Sequence, residues 1–372
     1  MKVDNVLFFI VLSLFANAVS CENVFALSMS GHYRNFFASS KTQLEKEEYY
    51  LDSNRLRIEG KGEPTAYFSY NIQYDNQVLF GDYLATREFL AYETAAGIRP
   101  ESSYWVLDHD IKKEERLRWN HSIYRGYGTV RYKSVDLKLG RQRVSWGKGW
   151  FWSPLDMFNP VSSTVIERDE RKGVDGALMT VSGGRVSSFS LLYLPQRERV
   201  DSKAARIVGQ IGSYDVAVSA GNHMERTFSG IDFAGYMGDA GFYGEVVSVE
   251  DNRGDQKVSL LFSGNYNFES SLYIMLEYFR NGGWNAPWTG ISYESEDYVG
   301  LQASYDLTPL TRWNNFLIIN LDDRSFFFSP QVITSLFEDL DLNFGAQIFG
   351  GNRESEYGGF ENLYYADLKY FF

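Results

Sequence analysis

The chain has 372 residues, with 26 Tyr, 28 Phe and 33 Gly but only 8 Pro, a net charge of -12 and a mean hydropathy of -0.31. Such hydropathy excludes a bundle of membrane helices, and the lack of long polar tracts argues against disorder. The acidic balance, with no basic arm, argues against nucleic acid as a partner. There is no Cys/His spacing of zinc type, and neither a metal nor a cofactor is expected. Tyr and Phe suit pleated, half-buried surfaces and Gly suits tight turns, so much β-structure is expected. A membrane barrel, in which alternate residues touch lipid, fits these numbers. A large soluble β-protein fits them too, so the pattern along the chain has to decide.

In chain order, Lys2, the apolar run Val6 to Leu14 and the small residues Ala16-Asn17-Ala18 read as a secretory signal over 1–20. The run is too short to span a bilayer as a helix, which takes about 20 residues. Cys21 is the only cysteine, so no intrachain disulfide can form. It stands where a lipoprotein signal places its acylated cysteine, although the site lacks the usual Leu three residues before it. Ordinary cleavage there would leave a free thiol.

From residue 21 to 372 one domain is expected. Its segments alternate apolar and polar with period two, which a helix cannot produce. Clear cases are Ala66 to Tyr74, Val258 to Phe268, Val299 to Leu307 and Leu340 to Ile348. Strands laid along the chain fall at 27–38, 49–60, 64–75, 117–132, 135–146, 172–182, 185–195, 203–212, 214–223, 228–236, 240–250, 256–268, 271–281, 297–308, 312–322, 324–334, 338–350 and 361–372. That makes 18 strands, within a range of 16–20, and bacterial barrels have an even number. Alternation is weak at 240–250, and at 312–322 both faces carry bulky apolar residues. Every second connection is three residues or fewer, while 39–48, 76–116, 147–171, 196–202, 282–296 and 351–360 are long. The expected fold is therefore all-β: a single transmembrane antiparallel barrel with short periplasmic turns and long extracellular loops. The 76–116 connection, with Asp82 to Tyr92 able to form a short helix, is expected to fold into or over the pore. An additional pair of strands is the alternative.

The segment Gly140-Arg141-Gln142-Arg143-Val144-Ser145-Trp146-Gly147, followed by Pro154-Leu155-Asp156-Met157-Phe158-Asn159-Pro160, resembles outer-membrane channels of the alginate-export and related porin type. The match covers about 20 residues and the general layout. Alginate exporters are 18-stranded barrels with a basic conduit for an acidic polysaccharide. The resemblance carries that role only to Arg141 and Arg143.

Alternation itself assigns further pore-lining residues. Arg55, Arg57, Arg125, Arg131, Lys138 and Arg206 fall on inward faces and suggest a basic wall. Asp306, Asp341 and Asp367 suggest an acidic wall opposite. The parity of Val135, Leu137 and Leu139 would point Arg141 and Arg143 toward lipid unless Gly140 starts a bulge. The alternative is a pair of solvated arginines at the rim. Trp284 and Trp288 read either as sugar-stacking residues or as part of the aromatic girdle at the membrane interface. The final strand alternates back from Phe372 through Tyr370 and Leu368, and a terminal aromatic on such a strand resembles the recognition signal of the barrel-assembly machinery.

These features predict an outer-membrane channel, not an enzyme, for passive diffusion of hydrophilic solutes with an anion preference. A polysaccharide conduit is the alternative within the same class. A structural or adhesion barrel, or a barrel hydrolase using His109 in Asp108-His109-Asp110, belongs to another. Expected partners are outer-membrane lipids and lipopolysaccharide, the assembly machinery, and a hydrophilic solute or polysaccharide.

Overall fold

The structure, a computed structural model, describes residues 27–98, 104–168, 170–184, 186–197, 199–250, 253–283 and 293–372. The signal segment, Cys21, Trp284 and Trp288 lie outside the described residues. Nineteen strands among these residues form one sheet. They are β1 (Leu27–Lys41), β2 (Glu48–Thr65), β3 (Phe68–Phe80), β4 (Asp108–Glu114), β5 (Leu117–Tyr132), β6 (Val135–Gln142), β7 (Val174–Ser182), β8 (Ser188–Leu194), β9 (Ser202–Ile211) and β10 (Tyr214–His223). There follow β11 (Arg226–Met237), β12 (Ala240–Glu250), β13 (Gln256–Asn267), β14 (Tyr273–Arg280), β15 (Asp297–Thr308), β16 (Thr311–Asn320), β17 (Phe326–Phe337), β18 (Leu340–Gly350) and β19 (Leu363–Phe371).

β1 pairs β19 antiparallel from His32↔Phe371 to Ser39↔Tyr364, which closes the sheet into a barrel. A bilayer demands this, because each unpaired backbone group at an open edge in lipid costs several kcal/mol. Alternation sorts the two faces. Val218, Ile231, Val246, Phe262 and Leu276 are exposed on the outside, while their neighbours Ser219, Asp232, Glu245, Ser263 and Glu277 are buried inside. Most connections at one end are two residues long, with five at 183–187 and 268–272. The other end carries the long connections 81–116, 143–173, 281–296 and 351–362.

Eighteen strands make the wall, as the alternation predicts. The exception is β4, inside the connection expected as a loop. It pairs with Leu117 to Ser122 of β5. β3 occupies one edge of β5, and β6 takes the other edge only from Gly126 to Tyr132. β4 therefore fills the stretch of wall that β6 vacates. The expected strand 135–146 is corrected accordingly: β6 stops at Gln142, and the chain turns into the barrel before rejoining the wall at Val174. Ahead of β4 lie a 3-10 turn (Asp82–Ala85) and helix α1 (Arg87–Ile98). The Thr86 hydroxyl caps α1 by accepting from Phe89 N–H at 3.2 Å. Contacts of α1 tie it to the rim: Glu88 accepts from Leu44 N–H at 3.1 Å, and Glu93 pairs with Arg118 at 2.8 Å.

Candidate functional site across the bore

Residues 143–173 cross the barrel interior. β2 and β12 stand nine positions apart in the ring of eighteen, so they face one another, and this loop is fastened to both sides. The fastenings are chemically different.

On the β12–β14 side the loop wraps two buried carboxylates. Glu245 accepts hydrogen bonds from Gly149 N–H at 2.8 Å, Leu155 N–H at 2.9 Å and the Ser153 hydroxyl at 3.0 Å. Glu277 accepts from the N–H groups of Trp150, Phe151 and Trp152, each at 2.9 Å, and from the Tyr243 hydroxyl at 3.0 Å. A loop buried inside a barrel must satisfy its own backbone donors, and these two side chains do it. Around them Phe151, Trp152, Leu155, Met157 and Phe158 pack on inward residues such as Val247, Met275, Phe279, Tyr298 and Ile318. Trp152 stacks on Phe279 with centroids 5.4 Å apart, and Trp150 lies 4.8 Å from Phe316. Gly300 is required by this packing, since a Cβ there would lie 2.4 Å from the Phe151 ring.

The resembling motif builds the loop's root. Asp156 accepts from Trp146 N–H at 2.7 Å and Gly147 N–H at 2.8 Å, and its other oxygen pairs with Arg171. Asn159 accepts from Val144 N–H at 2.7 Å and donates to the Lys172 carbonyl at 2.7 Å. The two arms of the loop are joined further on, where Arg168 donates to the Trp150 carbonyl at 2.6 Å and lies 4.1 Å from its ring centroid.

On the β1–β2 side the loop meets cations. Glu167 bridges Arg34 at 2.7 Å and Arg55 at 2.6 Å, with Lys369 at 3.7 Å. Glu170 pairs with Arg57. Each of these glutamates would be raised by burial alone, but the arginines outweigh burial and hold both carboxyls below the usual range. Arg34 also grips Asp367 through Nε at 2.7 Å and Nη2 at 2.9 Å. Arg57 grips Asp75 through Nε at 2.5 Å and Nη2 at 2.6 Å, and lies 3.6 Å from the Tyr124 ring centroid. Arg125 donates to the Arg171 carbonyl at 2.8 Å.

The other residues singled out in the sequence are spread more widely. Arg131 and Lys138 line a cavity of about 370 Å³ at the short-turn end, with Lys61, Tyr127 and Asp136. Arg206 is buried against Asp232 at 2.7 Å and Ser219 at 2.8 Å. Arg143 is exposed at the loop root. Asp306 pairs with Arg312 at 2.6 Å and Asp341 accepts from Ser335 at 2.6 Å, both near short turns. Asp367 stands among the cations, not opposite them. The bulge expected at Gly140 is absent, because register runs unbroken through it in both pairings, although its φ is +124. Arg141 is wholly buried against Asp175 at 2.8 Å and donates to the Trp105 carbonyl at 2.6 Å. His109 is exposed on β4, with its ring 5.6 Å from that of His121. Tyr370 on the closing strand and Phe372 just past its end are exposed, and Leu368 pairs with Asn35.

The sequence reading missed Arg34, Lys369, Glu167, Glu170, Glu245 and Glu277. For the last two a signal existed. Each is a lone carboxylate whose neighbours two positions away on the same strand face are apolar: Tyr243 and Val247, or Met275 and Phe279.

No protein-family model matches the sequence, and no curated protein matches it. Solved structures do match in shape. OccK8 (OprE) of Pseudomonas aeruginosa superposes with a TM-score of 0.60 at 9% identity, covering 93% of this chain and 98% of that one. OccAB3 of Acinetobacter baumannii gives 0.57 at 9% identity, with 93% and 99% covered. OpdK of Pseudomonas aeruginosa, solved with vanillate, gives 0.60 at 8% identity, with 93% and 98% covered. The fold is thus an outer-membrane porin-type barrel with one added strand. None of these three carries the name of an alginate exporter.

Proposed function

We propose that this chain is an outer-membrane diffusion channel for small hydrophilic solutes, that it prefers anions, and that carboxylates are its chief solute class. One observation carries the reading. Five cations, Arg34, Arg55, Arg57, Arg125 and Lys369, outnumber the four carboxylates Asp75, Asp367, Glu167 and Glu170 on one side of the bore, opposite the point where the loop is anchored by Glu245 and Glu277. Clustered charge lining a pore sets its ion preference. Vanillate, bound in the similarly folded OpdK, is an aromatic carboxylate and fits such a wall. The loop's crossing of the bore favours small solutes over a polysaccharide conduit. In this reading lipid and lipopolysaccharide cover the outward apolar band, and the strand ending at Phe372 is what the assembly machinery recognises.

The test is the reversal potential of the purified protein in a planar bilayer under a salt gradient. The expected result is anion preference, reduced or reversed in Arg55→Ala/Arg57→Ala. Cation preference in the unaltered protein overturns the charge argument. Long blocks by acidic oligosaccharides would instead favour the polymer conduit, and absence of any current a structural barrel.

A further inference from the structure

Arg34 and Arg57 are held in the same way. In each, Nε and Nη2 form a two-pronged pair with an aspartate on a neighbouring strand, Asp367 or Asp75. In each, the remaining Nη1 is taken by a glutamate from the loop, Glu167 or Glu170. A guanidinium presents donors along more than one edge in fixed geometry. The strand aspartate fixes its orientation, and the outer edge faces the bore. Arg55 adds a further donor to Glu167 at 2.6 Å.

We propose that Glu167 and Glu170 are built-in surrogates for the solute: their carboxylates occupy the arginine sites at rest, and a permeating carboxylate binds by taking their place. This deepens the channel reading and depends on it. The exchange needs only side-chain rotation. The loop backbone stays put, because Arg168 and Arg171 tie this arm to the one clamped by Glu245 and Glu277. Arg34 and Arg57 remain aimed throughout, held by their aspartates. An arriving carboxylate therefore finds charge-assisted donors already oriented, without the cost of ordering them. The price is competition, so the resting protein binds such solutes more weakly than the bare wall would.

Competition gives a sign to the pH dependence. Both loop glutamates ionise below the usual range, so their pairs persist above it and are lost as pH falls through their lowered values. The groups facing them are His32, Arg34, Arg55, Arg57, Arg125, Tyr124, Lys369, Asp75 and Asp367. His32, Asp75 and Asp367 are titratable members of the same cluster, so a variant must separate the effects.

The experiment is block of single-channel current by benzoate, with benzamide as the neutral control, in the unaltered protein and in Glu167→Gln/Glu170→Gln. The expected result is benzoate block about tenfold tighter in the variant, equivalent to about 1.4 kcal/mol, and unchanged benzamide block. Equal or weaker benzoate block in the variant overturns the proposal. A second measurement needs no variant. Benzenesulfonate stays ionised through the acid range, and its block of the unaltered protein should tighten as pH is lowered stepwise below the usual carboxylate range. Block that is unchanged or weaker across that titration overturns the proposal, as does tightening of the same size in the variant, which would assign it to the other titratable groups of the cluster. Absence of current in every protein would fail the channel reading itself, whereas current without benzoate block fails only the surrogate role.

Discussion

Arg141 and Asp175 meet with neither side chain exposed, at the place where β6 leaves the wall. Asp175 also accepts from Trp105 N–H at 2.8 Å, so the pair fastens the segment leading into β4 over the gap. Removing one partner strands the other charge in a low-dielectric site, which typically costs about 3–5 kcal/mol. Arg141→Ala is therefore expected to lower the temperature at which the detergent-folded barrel unfolds, read as heat-dependent mobility in a denaturing gel. Anion preference should stay unchanged. Loss of selectivity without loss of stability would show that Arg141 acts on the pore. The residue types around this position were readable in the sequence, but the partner was not, because Arg141 and Asp175 are joined only by the register of β6 and β7.

At the scale of the element, the loop 143–173 explains the two strands whose alternation fails. Alternation is weak in β12, and β16 is apolar on both faces, because each strand faces lipid outside and the loop inside. Val247 and Val249 of β12 and Ile318 of β16 are buried in the cluster under the loop. Failed alternation thus marks the loop's footprint on the wall. The loop is held there by Glu277 more than by any local propensity of its own. In Glu277→Ala, the N–H groups of Trp150, Phe151 and Trp152 lose their acceptor, and each unsatisfied buried donor costs about 1–3 kcal/mol. That loss weakens the hold on the wall, so the loop is expected to leave β14. Single-channel conductance should rise several-fold and become noisy, and a protease should cut within 147–160. Unchanged conductance would mean the packing alone holds the loop.

For the whole molecule, closure couples the two chain ends. Gly31 and Phe372 exchange backbone hydrogen bonds of 2.8 and 3.1 Å, beyond the last paired residues of β1 and β19. Deleting Phe372 removes both bonds and leaves Phe371, of the opposite strand parity, at the chain end. The expected outcome is less folded barrel in the outer membrane, measured by its heat-modifiable band, with normal conductance in the fraction that assembles. Normal assembly would remove the terminal residue from the signal. The sequence by itself determined the wall. Period two, tight turns and polar inward positions are local properties, so strand number and strand faces were legible in it. Only the tertiary structure decided what fills the bore. The 76–116 connection was the longest and so the natural candidate for a constriction, yet the loop that bridges the bore is 143–173, and part of the longer connection forms β4. Which loop turns inward depends on partners ninety or more residues away, Glu245 and Glu277 for one arm and Arg34, Arg55 and Arg57 for the other. No window of sequence contains those pairings, because they exist only once the ring has closed around the loop.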